Sequence, residues 1–292
     1  MLLQQLINGL TLGAVYTLIA LSFSLVMGIL GILNIAIAEL FMLAGFIGIT
    51  ALMAGLPFPL ALAAGIAGAT VASVVIKFVA YDPVRSSPVI TPLLTTLGCS
   101  IIIQNVVVNY WGSNPLQLPF EFLGERLRYG PISIGSMQIL VMATSVASVA
   151  VLGFMIQRTR IGRGLRAAAE NRDVARLLGV SAERLTIVAF ALSGVLAGIA
   201  GVLIGMHYAA ITPYVGVETG LKAIAVMVVG GVTRIWGALL AGPLIGIIEV
   251  MTIAHGGSQI RDLVVYGLMI LILLIRPQGL LGGRSSDTGQ RV

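Results

Sequence analysis

QRTRIGRGLRAAAENRDVARLLGVSAER, residues 157–184, interrupts a chain that is otherwise almost continuously apolar. Seven of the seventeen basic residues sit in it, all of them Arg. Placed on a helix at about 100° per residue, Ala168, Val174, Ala175 and Leu178 share one side with Asn171. Arg163, Arg166, Glu170, Arg172, Asp173 and Arg176 share the other, with Leu165, Ala169 and Leu177 intruding on it. Gly179 is a natural stop for such a helix, and Ser181 is a natural N-cap for the next. A short amphipathic helix slung between membrane spans suits a docking element. A basic loop that only sets membrane orientation has the same composition, so both readings stand on these residues.

The flanking chain decides the fold class. Of 292 residues, 58% are hydrophobic and only 10% charged, with a mean hydropathy of +1.05. Soluble domains carry about a quarter charged residues, so this is an all-α, polytopic transmembrane bundle. Thirty-six glycines suit close helix packing in lipid. No stretch outside the apolar segments is long enough for a core of its own, so one membrane domain is expected. The single cysteine, Cys99, excludes an internal disulfide and reads as packing. No basic residue precedes Lys77, so no charged n-region of a signal peptide is expected.

Working outward from the insert, residues 135–156 and 185–206 are apolar segments of spanning length. The second carries Gly194, Gly198, Gly201 and Gly205, a small-xxx-small spacing that specifies packing and not a substrate. Towards the N-terminus lie candidate spans 6–27, 33–54, 58–79 and 89–110. The second of these holds Asn34 and Glu39; a carboxylate there lines a translocation path or bonds to a neighbouring helix. Towards the C-terminus, residues 218–232 are short for a span and read as tilted, broken or half-inserted. Glu218 and Lys222, four apart, read as a local helix pair. Residues 236–253 carry Pro243, which should kink them, and Glu249; residues 261–275 form the last span.

This makes about nine spans, eight to ten being compatible with the pattern. With the N-terminus outside and the C-terminus cytoplasmic, thirteen basic residues fall inside and four outside, as the positive-inside rule requires. That asymmetry assigns the basic charge to membrane orientation and gives no reason to expect nucleic acid.

Lys77 follows Ile76 and Lys222 follows Leu221, so no Gly-Lys phosphate loop exists and ATP hydrolysis would need another chain. The chain has no HExxH and no GxSxG, and His207 and His255 are isolated; neither a metal site nor an enzyme is expected. Glu39 and Glu249 have no regularly spaced charged companions, which argues against a proton relay.

Four segments carry a resemblance: GLTLGAVYTLIALSFSLVMGILGILNIAIAELFMLAGF near the start, TRIGRGLRAAAENRDVARLLGV in the insert, GLKAIAVMVVGGVTRIWGALLAGPLIGIIE, and LLIRPQGLLG. In this order, over nearly the whole length, they resemble the permease subunits of branched-chain amino acid ABC importers. The resemblance implies a multi-pass protein of the bacterial inner membrane, one permease domain over 1–292, with a coupling segment 157–184 and a cytoplasmic tail 277–292. It implies a homologous second permease, two cytoplasmic ATPase subunits that use the ATP, an extracytoplasmic substrate-binding protein and surrounding lipid. No cofactor is expected in this chain.

By resemblance, Ala168, Ala169, Glu170, Asn171, Ala175, Leu178 and Gly179 form the helix that sits in a groove of the ATPase. Arg163, Arg166 and Arg172 flank it and can pair with acidic groups of that partner. Asn34, Glu39 and Glu249 are the candidate path-lining residues. Where the family reads NFAHGE-like, this chain has Asn34 followed by IAIAE. That departure leaves open other solutes carried by relatives, such as urea or short amides. A stand-alone ion-coupled carrier or channel is the alternative from a different class.

Overall fold

The computed structural model describes residues 2–88, 90–118, 126–129, 132–170, 175, 181–232 and 234–281. Helices α1 (Leu2–Leu30), α2 (Ile37–Met53), α3 (Phe58–Ile76), α4 (Ile90–Trp111) and α5 (Ser136–Arg158) precede the insert helix α6 (Arg160–Glu170). After it come α7 (Ala182–Tyr208), α8 (Val215–Gly230), α9 (Ile235–Gly256) and α10 (Arg261–Ile275). Each expected apolar segment is helical. Six helices are long and apolar enough to cross a membrane, namely α1, α3 with its extension, α4, α5, α7 and α9. The other three, α2, α8 and α10, have 17, 16 and 15 residues, so nine segments do not make nine full-length spans among the described residues.

The helix α1 is the centre of the bundle: 83% of its membrane window is buried, against 22% for α4. Apolar residues all round it serve neighbours on every side, whereas α4 keeps an apolar face for lipid. The closest neighbour of α1 is α9. A Cβ on Gly9 would lie 2.6 Å from the Ile247 Cα, and one on Gly13 would lie 2.6 Å from the Pro243 Cα. From the other side Gly246 lies against the backbone of Gly9 and Gly13, and Gly242 against the Thr17 side chain and the Gly13 carbonyl. α9 continues through Pro243 as one helix.

Three of the four glycines of α7 make the expected backbone contacts, while Gly205 meets the Ile49 side chain. Gly194 and Gly198 lie against the backbone of Thr70 and Ile66 in α3, and Gly201 lies against the Phe41 carbonyl of α2. Ser22 of α1 donates to the Ser193 carbonyl at 2.8 Å, and Ser73 of α3 donates to the Phe190 carbonyl at 2.6 Å. The N-cap of α7 is Ser181, whose hydroxyl accepts from the Arg184 N–H at 3.4 Å.

Short strands add to the all-α expectation. Strands β1 (Leu116–Gln117) and β4 (Ala210–Ile211) pair antiparallel, tying the connection after α4 to the one after α7. β2 (Arg126–Tyr129) and β3 (Ile132–Gly135) form an antiparallel hairpin immediately before α5. Such short pairings satisfy backbone groups in segments that composition reads only as loop.

Candidate functional site

A compact corner separates the insert helix α6 from α5. Thr159, in extended conformation, ends α5 and caps α6: its hydroxyl donates to the Met155 carbonyl at 2.6 Å and accepts from the Gly162 N–H at 3.0 Å. Gly162 lies so close to the Met155 and Ile156 carbonyls that a side chain has no room. The sequence reading missed this corner, although a Thr three residues before a Gly at the end of an apolar run is the available signal.

Over α6 the buried seam is Gly162, Leu165 and Ala168, with Leu165 only 3% exposed. Leu165 therefore belongs to the inner face and does not intrude on the polar one. The expected division came from a helical wheel running through residue 178, whereas α6 follows its own packing against α1, α5 and α7. Arg163, Arg166, Ala169 and Glu170 are exposed, giving a basic face with one carboxylate. Ala175 is buried. Asn171, Arg172, Leu178 and Gly179 lie outside the described residues.

Beside Ala168 and Ala175 is a cavity of about 660 Å³, reached also by Lys77, Asp82, Arg85 and Glu183. Lys77 lies where α3 loosens into a π turn (Lys77–Tyr81) and a short 3-10 turn (Asp82–Val84). That geometry brings Asp82, five residues on, within 2.7 Å of the buried Lys77 ammonium. The ammonium also sits 4.0 Å from the Phe78 ring centre.

The membrane-embedded candidates separate into two environments. Glu249 on α9 is 1% exposed and fully partnered. Tyr16 of α1 donates to its Oε2 at 2.8 Å, and Lys222 of α8 donates to its Oε1 at 2.6 Å. Lys222 also lies 3.2 Å from Asp262 Oδ1 and 3.6 Å from Glu218 Oε1, while Arg261 bonds to Glu218. The local Glu218–Lys222 pair exists, but the shorter ion pair is to Glu249. Linear spacing found Glu249 no companion because its partners, Tyr16 and Lys222, are 233 and 27 residues away.

Glu39 is the opposite case. It is fully buried in the first turn of α2; among the described residues no close hydrogen bond and no ion pair reaches its carboxylate, and the Ser100 hydroxyl of α4 is the side chain that bears on it. Asn34 falls before α2, where its Oδ1 accepts from the Ala36 N–H at 3.2 Å and holds a turn. Its Nδ2 is buried without a partner. From α4, the Thr96 hydroxyl accepts from the Ile35 N–H at 3.3 Å. Gly216, in the first turn of α8, faces Glu39: a Cβ there would lie 2.7 Å from Glu39 Oε2 and 2.8 Å from the Ala38 carbonyl.

Of the two remaining residues with a notable sequence reading, His255 places Nδ1 3.0 Å from the Met251 carbonyl, and the His207 ring meets that of Tyr208. Both are accounted for within their own helices.

Comparison with known proteins agrees with this arrangement. The model of the family described as "Branched-chain amino acid transport system / permease component" matches residues 5–274. The chain is 37% identical over 293 aligned residues to the high-affinity branched-chain amino acid transport system permease protein BraD of Pseudomonas aeruginosa, covering 96% of this chain and 95% of that one. The corresponding LivH protein of Escherichia coli K12 gives the same identity and coverage. Among solved structures, a chain of a metal-chelate type ABC transporter in an inward-facing conformation superposes with a TM-score of 0.51, covering 92% of this chain and 85% of that one. At 15% identity that likeness concerns the fold alone. The apolar helical bundle, the basic insert and a family match over most of the length lead to one conclusion: the chain belongs to the permease components of branched-chain amino acid transport systems.

Proposed function

We propose that this chain is the membrane-spanning permease subunit of an ATP-binding-cassette importer for branched-chain amino acids in a bacterial inner membrane. The observation that carries this reading is 37% identity across 96% of the chain to two such permeases. Residues 1–292 act as one membrane domain, with the N-terminus outside and the cytoplasmic tail 277–292 inside. A second, homologous permease completes the path, two separate ATPase subunits bind and hydrolyse ATP, and an extracytoplasmic binding protein delivers the solute. The chain itself carries no cofactor and performs no hydrolysis.

The segment 157–184 is the coupling element. Its exposed Arg163, Arg166, Ala169 and Glu170 face the ATPase, Ala168 and Ala175 back them, and Asn171, Arg172, Leu178 and Gly179 complete the segment by family likeness. Closure of the ATPases on ATP moves this element, and the bundle alternates between outward and inward openings. Asn34 and Glu39 line the path, with Glu249 braced beside it by Lys222 and Tyr16.

The test is reconstitution in liposomes with the ATPases and binding protein, followed by uptake of labelled leucine in competition with isoleucine, valine and urea. ATP-dependent leucine uptake, displaced by isoleucine and valine and not by urea, is the expected result. Uptake by the chain alone under an ion gradient would overturn the proposal.

A further inference from the structure

The first turns of α2 and α8 meet, and their meeting is informative about depth. If α2 crossed fully along with the spanning-length α3, α4, α5 and α7, these five crossings would have the chain enter α2 from one face of the membrane and α8 from the other. Two full spans would then begin about 30 Å apart. Instead Gly216 touches Ala38 and Glu39, so at least one of these helices begins within the hydrocarbon layer. Their lengths agree: 17 and 16 residues rise about 25 Å, short of a full crossing.

A helix that starts inside a membrane brings the positive end of its dipole to that depth. In broken-helix transporters such ends face the anionic group of a solute. Here the junction also holds the fully buried Glu39 carboxylate, which meets the Ser100 hydroxyl but no cation among the described residues, and whose Oε2 is directed at Gly216. A buried carboxylate without a countercharge is costly until a proton or a cation joins it. The absence of a side chain at Gly216 is what lets this carboxylate reach the first turn of α8. One small junction thus combines a carboxylate without a countercharge and a helix end that attracts negative charge.

We propose that the Glu39–Gly216 junction is the permease's own binding point for the zwitterionic head of an α-amino acid. Glu39 takes the α-ammonium, and the first turn of α8 attracts the α-carboxylate. The inference rests on the amino-acid reading given above and narrows it: the head group is read inside the membrane, and a neutral amide lacks the charge Glu39 selects. In the conformation described the carboxylate is sealed from solvent, so the solute enters when α8 separates from the start of α2.

Two measurements on the intact importer test this. In proteoliposomes with ATPases and loaded binding protein, leucine uptake by Glu39→Gln should fall about tenfold or more, with Glu39→Asp retaining an intermediate rate. On the purified wild-type complex without binding protein, leucine should raise the melting midpoint and 4-methylpentanoic acid, which lacks only the amino group, should not. Glu39→Gln uptake within about twofold of wild type, equal losses in the Gln and Asp variants, or equal protection by 4-methylpentanoic acid each overturn the assignment. The wild-type melting measurement decides the matter even if a variant fails to assemble. A wild-type importer that takes up none of leucine, isoleucine or valine refutes the amino-acid reading and this assignment together; normal uptake with an indifferent Glu39 refutes this assignment alone.

Discussion

Replacing Lys222 by Met tests the buried charge cluster most directly. The Lys222 and Glu249 side chains are each 2% exposed and pair at 2.6 Å. Methionine keeps an unbranched, flexible side chain but leaves Glu249 with the Tyr16 hydroxyl as its one close donor. Removing one partner of a buried pair costs about 3–5 kcal/mol, because the remaining charge stays desolvated. Arg261 lies 3.9 Å from the same carboxylate oxygen and offers partial compensation, which places the expected loss near the lower figure, about 3 kcal/mol. A chain of this size loses about 2 °C per kcal/mol, so the melting midpoint should fall by about 6 °C. Adding Glu249→Gln removes the stranded charge and should recover most of that loss, giving a coupling energy in a double-mutant cycle. The assay is the fraction surviving heat treatment in detergent, read by fluorescence-detected size exclusion for the wild type, both single variants and the double variant. A Lys222→Met midpoint within about 1 °C of wild type, or strictly additive losses in the double variant, would refute the reasoning.

Three further outcomes are expected. Gly162→Val should push α6 away from the end of α5, leaving a folded permease whose ATP-driven uptake is lost; comparison of membrane abundance with uptake separates the two. Gly246→Leu should wedge α9 off Gly9 and Gly13 and cost about 3 kcal/mol or more, seen as lost monodisperse protein in size exclusion. Glu170→Arg, on the exposed face of α6, should leave the melting midpoint unchanged while reducing co-purification with the ATPases and uncoupling uptake; unchanged co-purification and uptake would argue against a docking role for that face.

What was readable in the sequence is what depends on neighbours in the chain. Apolar length located the helices, Ser181 marked the start of α7, and the glycine spacing from Gly194 to Gly205 marked a packing face, because each is a local property. Leu165 is buried against expectation because the packing of α6 on α1, α5 and α7, and not an even helical wheel, decides its inner face. The partners of Glu249 were invisible, since the pairing of α8 with α9 and α1 is set by packing and not by spacing. The same limit hid the junction of Glu39 with Gly216: periodicity gives the length of a helix but not the depth at which it begins. The strands β1 and β4 were hidden because two residues on each side carry no pattern.

The seam between α1 and α9 has a mechanical consequence. Gly9, Gly13 and Gly246 put backbone directly on backbone, and the one side chain that enters beside Gly242 is the buried, hydrogen-bonded Thr17. Such a contact cannot slide or loosen by small steps; it is either seated or broken. The two helices therefore travel as one stiff beam through any transport cycle. The movement that opens a path must be taken up by the short α2 and α8 or by the corner at Thr159 and Gly162. Crosslinks across the beam should leave turnover intact, whereas crosslinks between α2 and α8 should halt it.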